Sequence, residues 1–167
     1  MILPEVRDPR MVTVRRGGTL QDEHHRLLAR WAADCAEHVL VLFETVQPGD
    51  ARPRDAIVAA RAWADGAMPM MRARALGGHA MGAARPLRGA ARFAAYAAGQ
   101  AACVGHIAEH DLGAAAYALK AVRSASGDDA LRSERDRQRA RLPAAVRELV
   151  LEDQRSRDAI CWSLFSL

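Results

Sequence analysis

The sequence predicts a single all-α domain, a bundle of about six or seven helices preceded by an extended N-terminal arm. Three observations predict it. Apolar residues recur at threes and fours along most of the chain, with no period-two alternation of the kind a half-buried strand shows. Half of the 167 residues are hydrophobic but only 5 % are aromatic, so alanine supplies much of the apolar surface. Alanine is the best helix former and a poor filler of space, so a core built from it requires closely packed helices. Glycine and proline fall between the periodic segments, at Pro48-Gly49, Gly66 and Ser126-Gly127, where they stop helices. The length suits one domain with a real core.

Residues 1–18 contain Pro4, Pro9, Gly17 and Gly18 and read as the arm, with a brief β-like piece at Met11 to Val14 that has no obvious partner strand. The arm packs across the domain or against a second copy, which leaves a homodimer open. The all-α domain covers residues 19–167. Thr19-Leu-Gln-Asp22 fits a helix cap with an acid at the third helical position. Leu20, Leu27, Leu28, Trp31, Cys35, Val39, Leu42 and Val46 then trace one amphipathic helix, stopped by Pro48-Gly49. A second helix begins near Pro53, where the missing N–H is no loss, and ends at Gly66.

A third, over residues 69–84, is weakened by Gly77, Gly78 and Gly82, each costing about 1 kcal/mol relative to alanine. Those glycines make sense if two backbones approach closely there. Residues 86–110 form a fourth helix, apolar nearly all round apart from Arg88, Arg92 and Glu109, which belongs in the middle of the bundle. Asp111 caps a fifth from Leu112 to about Ser124. After Ser126-Gly127, residues 128–141 form a charged outer helix anchored by Leu131 and Leu142. Pro143 opens the last helix, whose terminal cluster of Ile160, Cys161, Trp162, Leu164 and Phe165 is too apolar to hang free.

The net charge is +4, and Lys120 is the only lysine. The arginines are spread along the chain among acids, so the excess does not single out nucleic acid. The run RSERDRQRAR (132–141) carries Glu134 and Asp136 and no aromatic for stacking bases, and reads as an ion-paired solvated face. Cys35, Cys103 and Cys161 are an odd, unpaired set in apolar contexts, which reads as buried thiols of a reducing cytoplasm. The N-terminus lacks the pattern of a signal peptide, and the longest uncharged run, residues 93–108, is shorter than the roughly 20 residues of a membrane span.

The sharpest chemical pattern is HIAEH, residues 106–110, which has the H-x-x-E-H form of inverted zinc peptidases. On one helix, His106 and His110 share a face and Glu109 stands as a candidate base. A third ligand is missing, and Asp111 puts His110 at a helix boundary. A polar network of His79, Tyr96, Gln100 and His106 inside the bundle is the preferred reading. A ligand pocket lined by the same four residues ranks second, and a metal site on His106 and His110 third. There is no phosphate loop, dinucleotide fingerprint or nucleophile elbow, so no cofactor and no catalytic residue is assigned. Glu37, Glu44, Asp50 and Asp55 can form an acidic patch near the first interhelical turn. Arg52 and Arg61 either pair with acids such as Asp34 and Glu37 or contact a ligand, pairing being favoured.

Three segments, WAADCAEHVLVLFETVQPGDARPRDAIVAARAWADG (31–66), HIAEHDLGAAAYALKAV (106–122) and RQRARLPAAVRELVLEDQRSRDAICWSLF (137–165), carry a family resemblance. The first is the most specific, with Arg52, Pro53, Asp55, Arg61 and Trp63 in the run P-x-D-x-R-P-x-x-A-I-x-A-A-R-A-W. Together they resemble the bacterial, largely actinobacterial, Imm5-like putative immunity proteins. Relatives often carry G-H-A where this chain has Gly99-Gln100-Ala101, so no role of a histidine there carries over. The resemblance implies a small cytoplasmic protein that binds and blocks a partner protein, a toxin domain, with no catalytic residue set. The competing class is a small-molecule protein or enzyme of specialised metabolism using the pocket around Tyr96, Gln100, His79 and His106.

Overall fold

A computed structural model describes residues 2–167 and shows an all-α domain with no β-strand among them. In chain order the helices are α1 (Asp22–Val39), a four-residue α2 (Val41–Glu44), α3 (Arg52–Ala64), α4 (Met70–Ala84), α5 (Gly89–Cys103), α6 (His110–Ala140) and α7 (Ala144–Arg157). Short 3₁₀ turns span Pro9–Met11, Val14–Arg16 and Ala159–Cys161.

Helix α5 is the hub, packing against α6, α4, α3, α1 and α2. Its buried side chains are Ala91, Ala94, Ala95, Ala97, Ala98, Ala101, Ala102 and Cys103, so five neighbours reach it from all sides without a bulky residue holding them off. Where α4 crosses α5 the approach is backbone to backbone. A Cβ on Gly77 would lie 2.7 Å from the Gly99 carbonyl oxygen, and one on Gly99 2.9 Å from that of Gly77. Larger side chains, Trp31, Phe43, Leu28, Leu112, Leu119 and Leu131, fill the wider space on the α1 and α6 sides. The Trp31 indole N–H donates to the Gln138 carbonyl at 2.9 Å, so the buried ring keeps a polar partner.

The arm lies on the domain, with Ile2 and Met11 buried; Met1 lies outside the described residues. Its extended piece finds a local partner, a parallel bridge between Thr13 and Leu20. The Leu20 N–H donates to the Val12 carbonyl (2.9 Å) and the Leu20 carbonyl accepts from Val14 (3.2 Å). Those groups are therefore unavailable to a helix. This is why α1 starts at Asp22, with Gln21 rather than Thr19 at the cap position and no side-chain cap bond.

The fourth predicted helix also ends early, at Cys103. The Val104 carbonyl accepts from His25 Nε2 at 2.6 Å, and Gly105 lies so close to Trp63 that a Cβ would come within 2.7 Å of its ring. Tertiary contacts hold residues 104–109 in turns. The next helix starts at His110, and α6 breaks at Gly127 (φ 85°, ψ −172°), where the sequence places its linker. The charged second half of α6 is more than a solvated face, because Leu131, Glu134 and Gln138 are buried. Its arginines pair with neighbouring acids, Arg137 with Glu134 and Arg132 with Asp129. The C-terminal cluster docks as expected, with Cys161, Leu164 and Phe165 buried. Trp162 and Ser163 take left-handed backbone (φ 60° and 55°), which costs roughly 1–3 kcal/mol each.

Candidate functional site

Of the candidate partner-binding residues, Glu37, Glu44 and Arg61 lie where α1 and α2 run beside α3, while the Arg52 guanidinium reaches toward Gly82 of α4. Leu40 keeps helical dihedrals (φ −58°, ψ −33°), so α2 continues α1 almost without a break. Glu37, Val41 and Glu44 therefore recur on one side. On α3 the corresponding set is Arg54, Val58 and Arg61. Arg61 Nη2 reaches Asp34 and Glu37, each at 2.7 Å. Seven residues away, Arg54 grips Glu44 in a fork, Nε to Oε1 at 2.7 Å and Nη2 to Oε2 at 2.8 Å.

Between these two cross-links sit Val41 and Val58, 59 % and 57 % exposed. An apolar centre is thus framed by bidentate ion pairs. Arg52 turns back on Asp50, its N-terminal neighbour by two, at 2.5 Å. Pro53 is buried in the first turn of α3, and Asp55 is exposed in that turn, where its charge suits the positive helix end. The arginines hold the Glu37 and Asp50 carboxyls below their ordinary range, chiefly by direct hydrogen bonds. Three carboxylates (Asp34, Glu37, Glu44) face two arginines (Arg54, Arg61) across the α1–α3 seam, so this seam is locally acidic on a basic chain.

The four residues grouped as a polar network occupy separate places. His79 is exposed on α4. Tyr96 stacks on Tyr117, with centroids 5.1 Å apart. Gln100 fills the gap left by Gly113 and accepts from His110 Nδ1–H at 2.7 Å. Burial drives the His110 pKa down to about 4, assisted by the nearby His106.

His106 lines a different cavity, about 450 Å³, between the arm, the start of α1, Trp63 and the α5–α6 turns. Arg7, Arg15, Arg16 and His25 share its wall. The His106 Nδ1 itself is inaccessible and has no hydrogen-bond partner among the described residues. Burial and the positive field of Arg74, Arg16 and Arg7 lower its pKa.

His106 lies within the turns between α5 and α6 and His110 is the first residue of α6, so the H-x-x-E-H run is not a helical ligand pair. Glu109 is 1 % exposed and both its oxygens are held by Arg7, at 2.7 and 2.6 Å. No group of three or more His, Cys, Asp or Glu among the described residues is placed to hold a metal ion. A buried cluster that the sequence reading missed lies behind it. Arg157 binds Asp153 (2.5 Å) and Asp111 (3.4 Å) and donates to the Glu109 carbonyl (3.0 Å). The i,i+4 spacing of Asp153 and Arg157 was its visible signal.

Fold and site together define a small all-α protein that carries an ion-paired, apolar-centred face. No helix among the described residues is long and apolar enough to cross a membrane. The chain belongs to the Imm-5 like putative immunity protein family, whose model matches residues 18–145. Membership gives it an immunity-type role in general terms, and it covers the motif of residues 31–66 that carried the resemblance. No curated protein and no solved structure matches the chain.

Proposed function

We propose that this protein works in the bacterial cytoplasm as an immunity protein, sequestering a partner toxin domain without catalysis, and that the α1–α3 face is where the partner docks. The observation that carries the reading is the pair Val41 and Val58, exposed between two rigid arginine–carboxylate cross-links. Binding surfaces concentrate their energy in an apolar centre from which a polar rim excludes water. Here the rim is already pre-organised, so docking does not have to immobilise those long side chains. The excess of carboxylates selects a partner that surrounds an apolar patch with basic residues.

Growth protection tests this. Cells expressing a cognate toxin domain, sought among the open reading frames that neighbour the gene, recover when the wild-type chain is co-expressed. The double variant Val41→Glu, Val58→Glu fails to protect while keeping the wild-type melting temperature. Full protection by that folded variant rejects the face.

A second reading, a small-molecule protein using an interhelical pocket, has one observation in its favour: the cavity of about 450 Å³ whose wall includes His106. In that case His106→Gln, and not the valine pair, removes function.

A further inference from the structure

On the far side of α5 lies a groove of about 420 Å³, lined by Arg88, Gly89, Arg92, Phe93, Tyr96, Tyr117 and Lys120. Its charge is unbalanced. Arg88, Arg92 and Lys120 make no ion pair among the described residues, and no carboxylate lines the groove beside them. Arg92 donates only to the Leu87 carbonyl (3.5 Å) and the Tyr96 hydroxyl (3.4 Å). The three cations also stand at the N-terminal end of α5, which has no acid in its first turn and no side-chain cap. Cations are unfavourable at that end of a helix, and anions are favourable. The free protein therefore gathers positive charge where nothing of its own offsets it.

The floor of the groove is aromatic. Tyr96 and Tyr117 stack at 5.1 Å with planes 25° apart, Phe93 continues the stack at 6.4 Å, and Trp162 leans on Tyr117 at 5.1 Å. This gathers both tyrosines and the one lysine of the chain. Lys120 Nζ lies 3.8 Å from the Trp162 ring centre and 4.6 Å from that of Phe93, and the Arg92 guanidinium lies 5.4 Å from the Tyr96 ring centre. Trp162 is 40 % exposed and is held there on left-handed backbone. Burial lowers the Lys120 pKa, and the nearby Arg92 adds to the shift.

We propose that this groove binds one nucleotide-sized organic phosphate, its phosphate on Arg88, Arg92 and Lys120 and its planar ring on the aromatic side chains that line the groove, Phe93, Tyr96 and Tyr117. The cations supply charge-assisted donors, and aromatic faces accept any planar heterocycle. The volume suits a mononucleotide rather than a strand.

Isothermal titration of the full chain tests it, with adenosine and uridine monophosphates as probes beside adenosine, inorganic phosphate and a ten-nucleotide single strand. Both monophosphates bind saturably, and each more tightly than phosphate or nucleoside alone. Lys120→Met keeps the packing on Phe93 and Trp162 and weakens binding roughly tenfold or more, as does Arg92→Gln. Arg132→Gln, on the outer half of α6, leaves it unchanged. Melting curves confirm that each variant is folded. Four results overturn the proposal: no saturable binding of either monophosphate, phosphate binding as tightly as they do, binding of the strand alone, or undiminished binding by the folded Lys120 and Arg92 variants.

Discussion

Two adjacent glycines on α4 isolate the close packing on which the fold rests. Gly78 faces open space, with nothing within 4 Å of an added Cβ. Gly78→Ala therefore gains the helix propensity of alanine, about 1 kcal/mol. That raises the melting temperature by about 2–4 °C for a domain of this size. Gly77→Ala gains the same propensity but sets its Cβ 2.7 Å from the Gly99 carbonyl oxygen, 3.0 Å from Cys103 Sγ and 3.2 Å from Ala102 Cβ. The nearest of these is backbone and cannot swing away, so α4 and α5 must separate. Overpacking of this kind costs about 1–3 kcal/mol. Because the propensity gain is common to both variants, their difference reads the clash alone, about 1–3 kcal/mol in favour of Gly78→Ala. Urea denaturation at unchanged m-value measures it through the two midpoints. If Gly77→Ala raises the midpoint as much as Gly78→Ala does, the α4–α5 contact is not the tight backbone crossing described here.

Three further outcomes follow from the buried polar groups. Arg157→Met leaves the buried Asp153 carboxylate without the guanidinium that binds it at 2.5 Å and destabilises by about 3–5 kcal/mol in urea titrations. Burial, opposed by Arg157, pushes the Asp111 carboxyl up to about 8. A folded-state pKa above the unfolded one means that the folded chain holds the extra proton, so stability falls as pH rises through the window. Above pH 6.5 no opposing loss from His110 remains. Between there and pH 8 the wild type loses about 1–2 kcal/mol, and Asp111→Asn flattens that slope. Below pH 6.5 the lowered His110 pKa acts in the opposite sense, and its contribution is lost as pH falls toward 4. Finally, Cys35, Cys103 and Cys161 are buried, and burial raises all three thiols, Cys161 to about 12. A thiol reagent at neutral pH labels none of them in the folded chain and all three in denaturant.

Local signals made much of this fold legible. Pro53 set the start of α3, the glycine of Ser126-Gly127 marked the break in α6, and the all-round alanine pattern of residues 91–102 identified α5 as the central helix. Arg61 pairs with Asp34 and Glu37 as expected, whereas Arg52 pairs with Asp50, two residues before it, and not with an acid of the neighbouring helix. Long-range contacts hid the rest. Nothing near Thr19 announces that Leu20 is bonded to Val12 and Val14, so the apparent capping box was misleading. Nothing within residues 93–110 announces that His25, about 80 positions away, takes the Val104 carbonyl and ends the helix. That one contact separates His106 from His110 and removes the helical metal-site geometry that the motif suggested. Pairwise spacing also could not show that Tyr96 belongs with Tyr117 and Lys120 rather than with His106.

If the α1–α3 face docks a toxin domain one to one, as proposed, titrating that purified domain with this chain lowers its activity linearly to zero at one equivalent, with no further decline over time. Docking through that face also predicts that Val41→Glu, Val58→Glu shifts the titration out of the stoichiometric range. Progressive loss of toxin activity at a small fraction of one equivalent, or an unshifted titration by the folded double variant, contradicts it.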